Sequence, residues 1–299
     1  MRDDVFVRHQ TKDELKTGGL TIGFTGYGGN HHIGPEFQLG HLVGDAYDEP
    51  VLLIKTAWGG KSIYKDFRPP RSGGSTGEFY KKMLAEYREG LVKLGDEFPQ
   101  LAKRKPELSG FVWFQGWNDM VDRGTYPNRA KPGGYAQYSE VLVHFIRDVR
   151  KGLSVPKLPF VIGVMGVGGP VEKYGPDQKR YAGIHSEFRK AMAAPAKLSE
   201  FKGNVTAVFT ENYWDHQLSG LSSRMGKVNA KRRSLGNDKT LSAEERNKFV
   251  ETYKADLFTE EEIRILETGI SNAAYHYLGS SKVLGQIGKA FADALAEME

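Results

Sequence analysis

Residues 110–120 read GFVWFQGWNDM. The run Phe111-Val112-Trp113-Phe114 is too short for a core helix, is aromatic and β-branched, and shows no polar alternation. That is the pattern of a strand buried on both faces of a parallel sheet. It then delivers Gln115, Gly116, Trp117, Asn118 and Asp119. A strand-to-helix turn requires a Gly or an Asn, not a glutamine, an asparagine and an aspartate together. In open parallel sheets, ligands bind beyond the carboxyl ends of the strands, so this exit is a candidate site.

Three similar runs lie outward from it: Val51-Leu52-Leu53-Ile54, Phe160-Val161-Ile162-Gly163-Val164 and Val205-Thr206-Ala207-Val208-Phe209. Apolar residues at helical spacing predict helices over about 78–95, 135–151, 182–194 and 281–298. Strand–helix alternation of this kind predicts an α/β fold, a three-layer α/β/α sandwich with a mainly parallel sheet. Every strand exit is rich in glycine or polar groups: Thr56-Ala57-Trp58-Gly59-Gly60-Lys61-Ser62, Gln115 to Asp119, Met165-Gly166-Val167-Gly168-Gly169, and Thr210-Glu211-Asn212-Tyr213-Trp214-Asp215. Segment 216–260 breaks the rhythm. It is polar, carries the basic run Lys231-Arg232-Arg233, and reads as a charged surface excursion with short helices. Ser242-Ala243-Glu244-Glu245 and Thr259-Glu260-Glu261-Glu262 both fit the capping box.

Several function classes lose support at this level. The formal charge of +5 is mild for 299 residues and no nucleic-acid-reading motif accompanies it, so no nucleic-acid partner is expected. No run of about eighteen apolar residues occurs, so no membrane span is expected. The opening Met1-Arg2-Asp3-Asp4 does not read as a secretory leader. Without cysteine there are no disulfides. His31 and His32 are adjacent, with no further ligand at metal-binding spacing, so neither metal nor cofactor is expected. Gly60-Lys61-Ser62 resembles the tail of a P-loop, but the glycine required five residues earlier is Lys55.

The exits at Thr56–Ser62 and Trp113–Asp119, together with Tyr275-His276-Tyr277-Leu278-Gly279 and His32-Ile33-Gly34-Pro35-Glu36-Phe37, resemble the sialate O-acetylesterase-like carbohydrate esterases of the SGNH (GDSL-type) hydrolase superfamily. The likeness spans roughly residues 30–298 as one domain. It implies a flavodoxin-like sandwich, removal of acetyl groups from sugars by a Ser–His pair, and an acetylated carbohydrate as partner. It also implies residue roles. His276 matches the base, Gly59 or Gly60 the oxyanion glycine, Asn118 the oxyanion asparagine, and Gln115 the glutamine before the glycine. Donors fixed beside a developing oxyanion are each worth about 10²–10³ in rate. Trp58, Trp117 and Trp214, each just past a strand, suit stacking on a sugar ring. Such esterases are often exported.

Two departures stand out. The family's nucleophile lies in a Gly-Gln-Ser-Asn block ending its first strand, and residues 1–30 contain no serine. The nearest glycine-rich stretch, Gly26-Tyr27-Gly28-Gly29-Asn30, offers no hydroxyl beyond Tyr27. The expectation is a family member whose first strand and nucleophile loop are missing. The alternative is a carbohydrate-binding module on the same fold. The acid is the second departure: three residues before His276 stands Ala273, so Asn272 and Asp119 are the candidate acid or orienting groups, with Glu211 and Asp215 as further options. Ser62 reads as a cap.

Overall fold

The computed structural model describes residues 2–26 and 31–298. Tyr27, Gly28, Gly29 and Asn30 of the glycine-rich stretch lie outside them. In chain order the elements are β1 (Val5–Gln10), β2 (Leu15–Gly19), α1 (Glu36–Ala46), β3 (Val51–Lys55), α2 (Glu78–Val92), α3 (Leu94–Glu97), β4 (Phe111–Trp113), α4 (Trp117–Val121), α5 (Ala136–Gly152), β5 (Phe160–Val164), α6 (Ala182–Ala193), β6 (Val205–Phe209), α7 (His216–Gly236), α8 (Ala243–Leu257), α9 (Glu260–Gly269) and α10 (Ser281–Ala296).

The fold is α/β, with helices on both faces of a mainly parallel sheet. The four apolar runs are β3, β4, β5 and β6. The ladder β4-β5-β6 is parallel throughout, with Phe111 opposite Phe160 and Phe160 opposite Val205. The other ladder runs β2-β1-β3, with β1 parallel to β3 and antiparallel to β2. The hairpin β1–β2 is an addition to the strands expected. Its signal is masked because Val5-Phe6-Val7 leads straight into Arg8 and His9, which look like surface residues. In fact Arg8 is 1% exposed and is neutralised by Glu86 and Glu97 at 2.8 Å each.

One helical layer holds α1 and α10. A Cβ on Gly40 of α1 would meet Leu53 of β3 and Val5 of β1, and a Cβ on Gly288 of α10 would meet the Pro35 carbonyl at 2.2 Å, so the two helices lie against each other. The opposite layer holds α2, α5 and α6. Phe145 of α5 packs its ring against Phe111, Trp113 and Phe160. Tyr80 of α2 lies 5.9 Å from Phe145, which ties α2 to α5.

The 216–260 segment differs from expectation in one respect: α7 runs 21 residues rather than forming short helices. Leu218, Leu221, Met225 and Val228 follow helical spacing but are diluted by charge, which hides the period. Both capping boxes form, at Ser242/Glu245 and Thr259/Glu262. Lys231, Arg232 and Arg233 are solvated surface.

Candidate active site

The site is built on the carboxyl ends of β3 and β4. At the exit of β4, a Cβ on Gly116 would sit 2.8 Å from the Phe188 ring, so glycine is demanded by close approach of α6. Asp119 follows within the first turn of α4 and is 0% exposed. Its carboxylate accepts from the Ile63 N–H at 2.8 Å, the Tyr64 N–H at 3.2 Å, the Gln115 amide at 2.7 Å and the Tyr126 hydroxyl at 3.2 Å. Burial pushes its pKa up, and these four donors pull against that shift. Asp119 therefore welds the exit of β4 to the loop after β3.

Gln115 differs from the role inferred from the resemblance. One amide nitrogen donates both to Asp119 and to the Lys61 carbonyl, at 2.8 Å. Its two hydrogens are spent inside the protein, so Gln115 braces the loop and has no donor left for an oxyanion.

The loop after β3 is anchored at its start. Lys55 donates to Glu36 at 2.6 Å and to the Phe24 carbonyl at 2.8 Å, which places the Gly-Pro-Glu turn beside this exit. Gly60 has φ +74°, a left-handed conformation that glycine adopts without penalty. The space where its Cβ would stand is 3.9 Å from the Asn118 amide nitrogen. Gly60 and Asn118 are thus neighbours, while nothing crowds Gly59. Ser62 lies in a turn, its hydroxyl donating to Asp66 at 3.1 Å and accepting from the Lys65 N–H at 3.2 Å.

His276 sits in a tight hook, Ala274–Gly279, just before α10. Tyr277, Leu278 and Gly279 all have positive φ (53°, 62° and 59°). For tyrosine and leucine this is a strained state that persists only when its surroundings impose it. Here the Tyr277 hydroxyl is the peg. It accepts from the Gly166 N–H at 2.8 Å and shares a 2.7 Å bond with Thr210, pinning the hook to the exits of β5 and β6. Burial pushes the Tyr277 pKa up to about 12.

Asn272 Oδ1 lies 3.0 Å from His276 Nδ1 and accepts from the Ala273 N–H at 2.7 Å. The backbone donor fixes the amide with its oxygen inward. Nδ1 therefore carries the imidazole proton and Nε2 is left with its lone pair. Burial holds the His276 pKa below the usual histidine value.

The three tryptophans separate. Trp214 is buried in the core against Tyr277 and cannot stack on a ligand. Trp58 packs on Phe67 and Phe79, with Lys82 over its ring at 4.8 Å. Trp117 lies 5.5 Å from Tyr275, which is 46% exposed and meets His276 at 4.4 Å between ring centroids. Tyr275 is a residue that sequence reasoning missed; its only signal is adjacency to His276. Of the further acids, Asp215 caps α7 through the Leu218 N–H and pairs with Lys282. Glu211 pairs with the buried Arg189. Among the described residues no cluster of His, Asp or Glu is arranged to hold a metal ion.

The family model for carbohydrate esterases described as sialic acid-specific acetylesterases matches residues 15–214. The chain belongs to this carbohydrate esterase family. The matched span contains both the Gly59-Gly60 and the Gln115–Asp119 exits and stops before the His276 hook. A protein of known crystal structure from Arabidopsis thaliana aligns with this chain at 19% identity and a TM-score of 0.45, over 70% of this chain and 69% of that one. No curated protein sequence matches it.

Proposed function

We propose a carbohydrate O-acetylesterase function, the removal of acetyl groups from sugars by Ser–His-type hydrolysis, in which the nucleophile serine is not supplied by residues 1–299 and this chain as it stands does not turn over. His276 is the general base, Asn118 and the Gly60 backbone are the oxyanion donors, and the Trp117–Tyr275 ledge receives the sugar ring. The observation that carries this reading is the linkage of these groups along one edge. Asn118 adjoins Gly60, and the neighbouring Trp117 adjoins Tyr275 and, through it, His276.

The chemistry follows from the tautomer. A hydroxyl attacks the acetyl carbonyl as its proton passes to His276 Nε2, and the carbonyl oxygen becomes an oxyanion facing Asn118 and Gly60. Collapse of the tetrahedral intermediate expels the sugar alkoxide, which takes the proton from His276. Water then repeats the sequence on the acyl-enzyme and releases acetate. Asn272 keeps the imidazole in the required tautomer but adds no negative charge to stabilise the imidazolium, unlike the aspartate of a full triad. No Gly-Gln-Ser-Asn occurs in residues 1–299, and the Ser62 hydroxyl is engaged in its own turn. This reading assigns to the chain every group except the nucleophile.

The test is hydrolysis of 4-nitrophenyl acetate and of acetylated sugars, by this chain and by one carrying a Gly-Gln-Ser-Asn segment. Turnover in the second that falls at least 10³-fold in His276→Ala supports the assignment. Unchanged turnover in His276→Ala removes His276 from the reaction. Sugar binding without turnover in either chain favours the binding-module reading.

A further inference from the structure

Away from His276, the long loop after β3 folds against α5 and leaves a cleft of about 120 Å³, lined by Arg68, Ser72, Gln137, Glu140, Val141 and His144. Five of these six residues are polar or charged, and none takes part in the chemistry above. Gln137, Glu140, Val141 and His144 recur at i, i+3, i+4 and i+7, so they share one face of α5. Val141 is buried while Gln137 and Glu140 are exposed, so the cleft opens on their side.

The loop wall is held in place by its own bonds. Arg71 donates to Asp148 of α5 twice, from its backbone N–H at 2.8 Å and its Nε at 2.7 Å, which fastens the Pro70–Ser72 turn to the helix. Arg68 ties the loop to itself, donating to the carbonyls of Tyr64, Ser72 and Gly73 at 3.2, 2.6 and 2.8 Å. Ser72 Oγ lies 3.2 Å from His144 Nδ1 and joins loop to helix.

Bracing the loop does not exhaust Arg68. A guanidinium carries five N–H donors, and these bonds leave two of them over. The acids around the loop pair elsewhere: Asp66 with Lys61, Asp122 with Lys65 and Asp148 with Arg71. Glu140 lines the same cleft, yet among the described residues no ion pair joins it to Arg68. One fixed cation and one anion thus face a shared polar space without neutralising each other.

We propose that this cleft is a second carbohydrate site, apart from the catalytic groups, which takes one sugar unit through a pair of neighbouring hydroxyls. A carboxylate accepts two hydroxyl protons side by side, and a guanidinium donates to two oxygens side by side, so Glu140 and Arg68 together fit a vicinal diol. Their charges cancel, which suits a neutral ligand better than an anion or a cation. Ser72, Gln137 and His144 can each donate or accept, as further ring hydroxyls require. Tyr64 links the cleft to the candidate active site. Its N–H is held by Asp119, its hydroxyl accepts from the Gln137 amide at 3.4 Å, and its ring lies 4.9 Å from the Arg68 guanidinium. The cleft therefore favours a polymer over a single sugar as substrate, one unit held at Glu140 while another meets Trp117 and Tyr275. That last step alone rests on the esterase reading.

The test titrates the isotope-labelled chain with cellohexaose, xylohexaose and mannohexaose and reads the side-chain NMR signals of Gln137, Arg68 and Trp117. The proposal expects saturable shifts at Gln137 and Arg68 with at least one of the three. Binding should weaken roughly 10-fold in Glu140→Ala, which loses the charged acceptor, and in Arg68→Lys, which keeps the charge but loses the fork. Glu140 is exposed, so thermal melts of Glu140→Ala should match those of the unaltered chain. No shift with any hexasaccharide at millimolar concentration, or shifts that Glu140→Ala leaves unchanged, would each overturn the proposal. Shifts at Trp117 alone would remove the cleft and leave the esterase reading standing. Shifts at Gln137 and Arg68 without Trp117 keep the cleft and count against the Trp117–Tyr275 ledge.

Discussion

The two loops that carry the candidate site are held by opposite means. The exit of β4 is fastened by one buried carboxylate, Asp119, which gathers two backbone donors, an amide and a phenol. The His276 hook is held by neutral hydrogen bonds. It relies on the Tyr277 hydroxyl, on the amide of Asn272, and on a backbone forced through consecutive left-handed residues. A carboxylate clamp holds the backbone donors of Ile63 and Tyr64 still. At the hook, His276 Nδ1 meets the neutral amide of Asn272, and burial holds the His276 pKa below the usual value.

Removing the charged clamp should do the most damage. Asp119→Ala leaves buried N–H groups and the Gln115 amide without an acceptor, and urea melts should show a loss of about 3–4 kcal/mol. A loss near zero would mean that the two exits are held by packing alone. The neutral clamp should cost less. Tyr277→Phe strands the Gly166 N–H and should lose about 2 kcal/mol in the same measurement. It should also loosen the His276 loop in hydrogen exchange while the Ile63–Tyr64 amides stay protected.

The smaller effects sharpen the contrast in electrostatics. In an NMR titration His276 should have its midpoint below the ordinary value of about 6.5. Asn272→Asp places an anion at Nδ1 and should raise that midpoint by about one pH unit, because an opposite charge favours the imidazolium. His9 and His185 are held down to about 4, chiefly by burial. Their unfolded forms take up protons first as pH falls. Stability should therefore be full above about 6.5 and decline as the pH drops from there to about 4, as thermal melts across that window would show. Smallest of all, Ser242→Ala removes a helix cap far from both clamps. It should cost about 1 kcal/mol or less, seen at the start of α8.

Much of the sheet was legible because buried parallel strands write their burial into short uninterrupted apolar runs; β5 and β6 lie on the runs at 160–164 and 205–209. The hairpin β1–β2 was not, since Arg8 and His9 owe their burial to carboxylates and loops distant in the chain. At the site, the cluster after β4 announced itself by excess polarity, and Asn118 lies beside Gly60. What the cluster does was not legible. Whether Gln115 and Asp119 face a ligand or each other depends on the backbone of residues 61–64, and no spacing rule encodes that. Nor could one dimension distinguish Trp117 at the site from Trp214 in the core.

The helices α7, α8 and α9 have a small core of their own, made by Leu221, Val228, Val250, Phe258 and Leu266, and Ile265 and Ile270 contribute to both it and the main core. They also stand in the chain between β6 and the His276 hook. Such an annex opens as a cooperative unit more readily than the sheet it leans on. Each opening would slacken the tether of His276 while leaving the loops of Gly60 and Asn118 seated. A fluctuation in this polar annex would thus act as a clutch between the two loops.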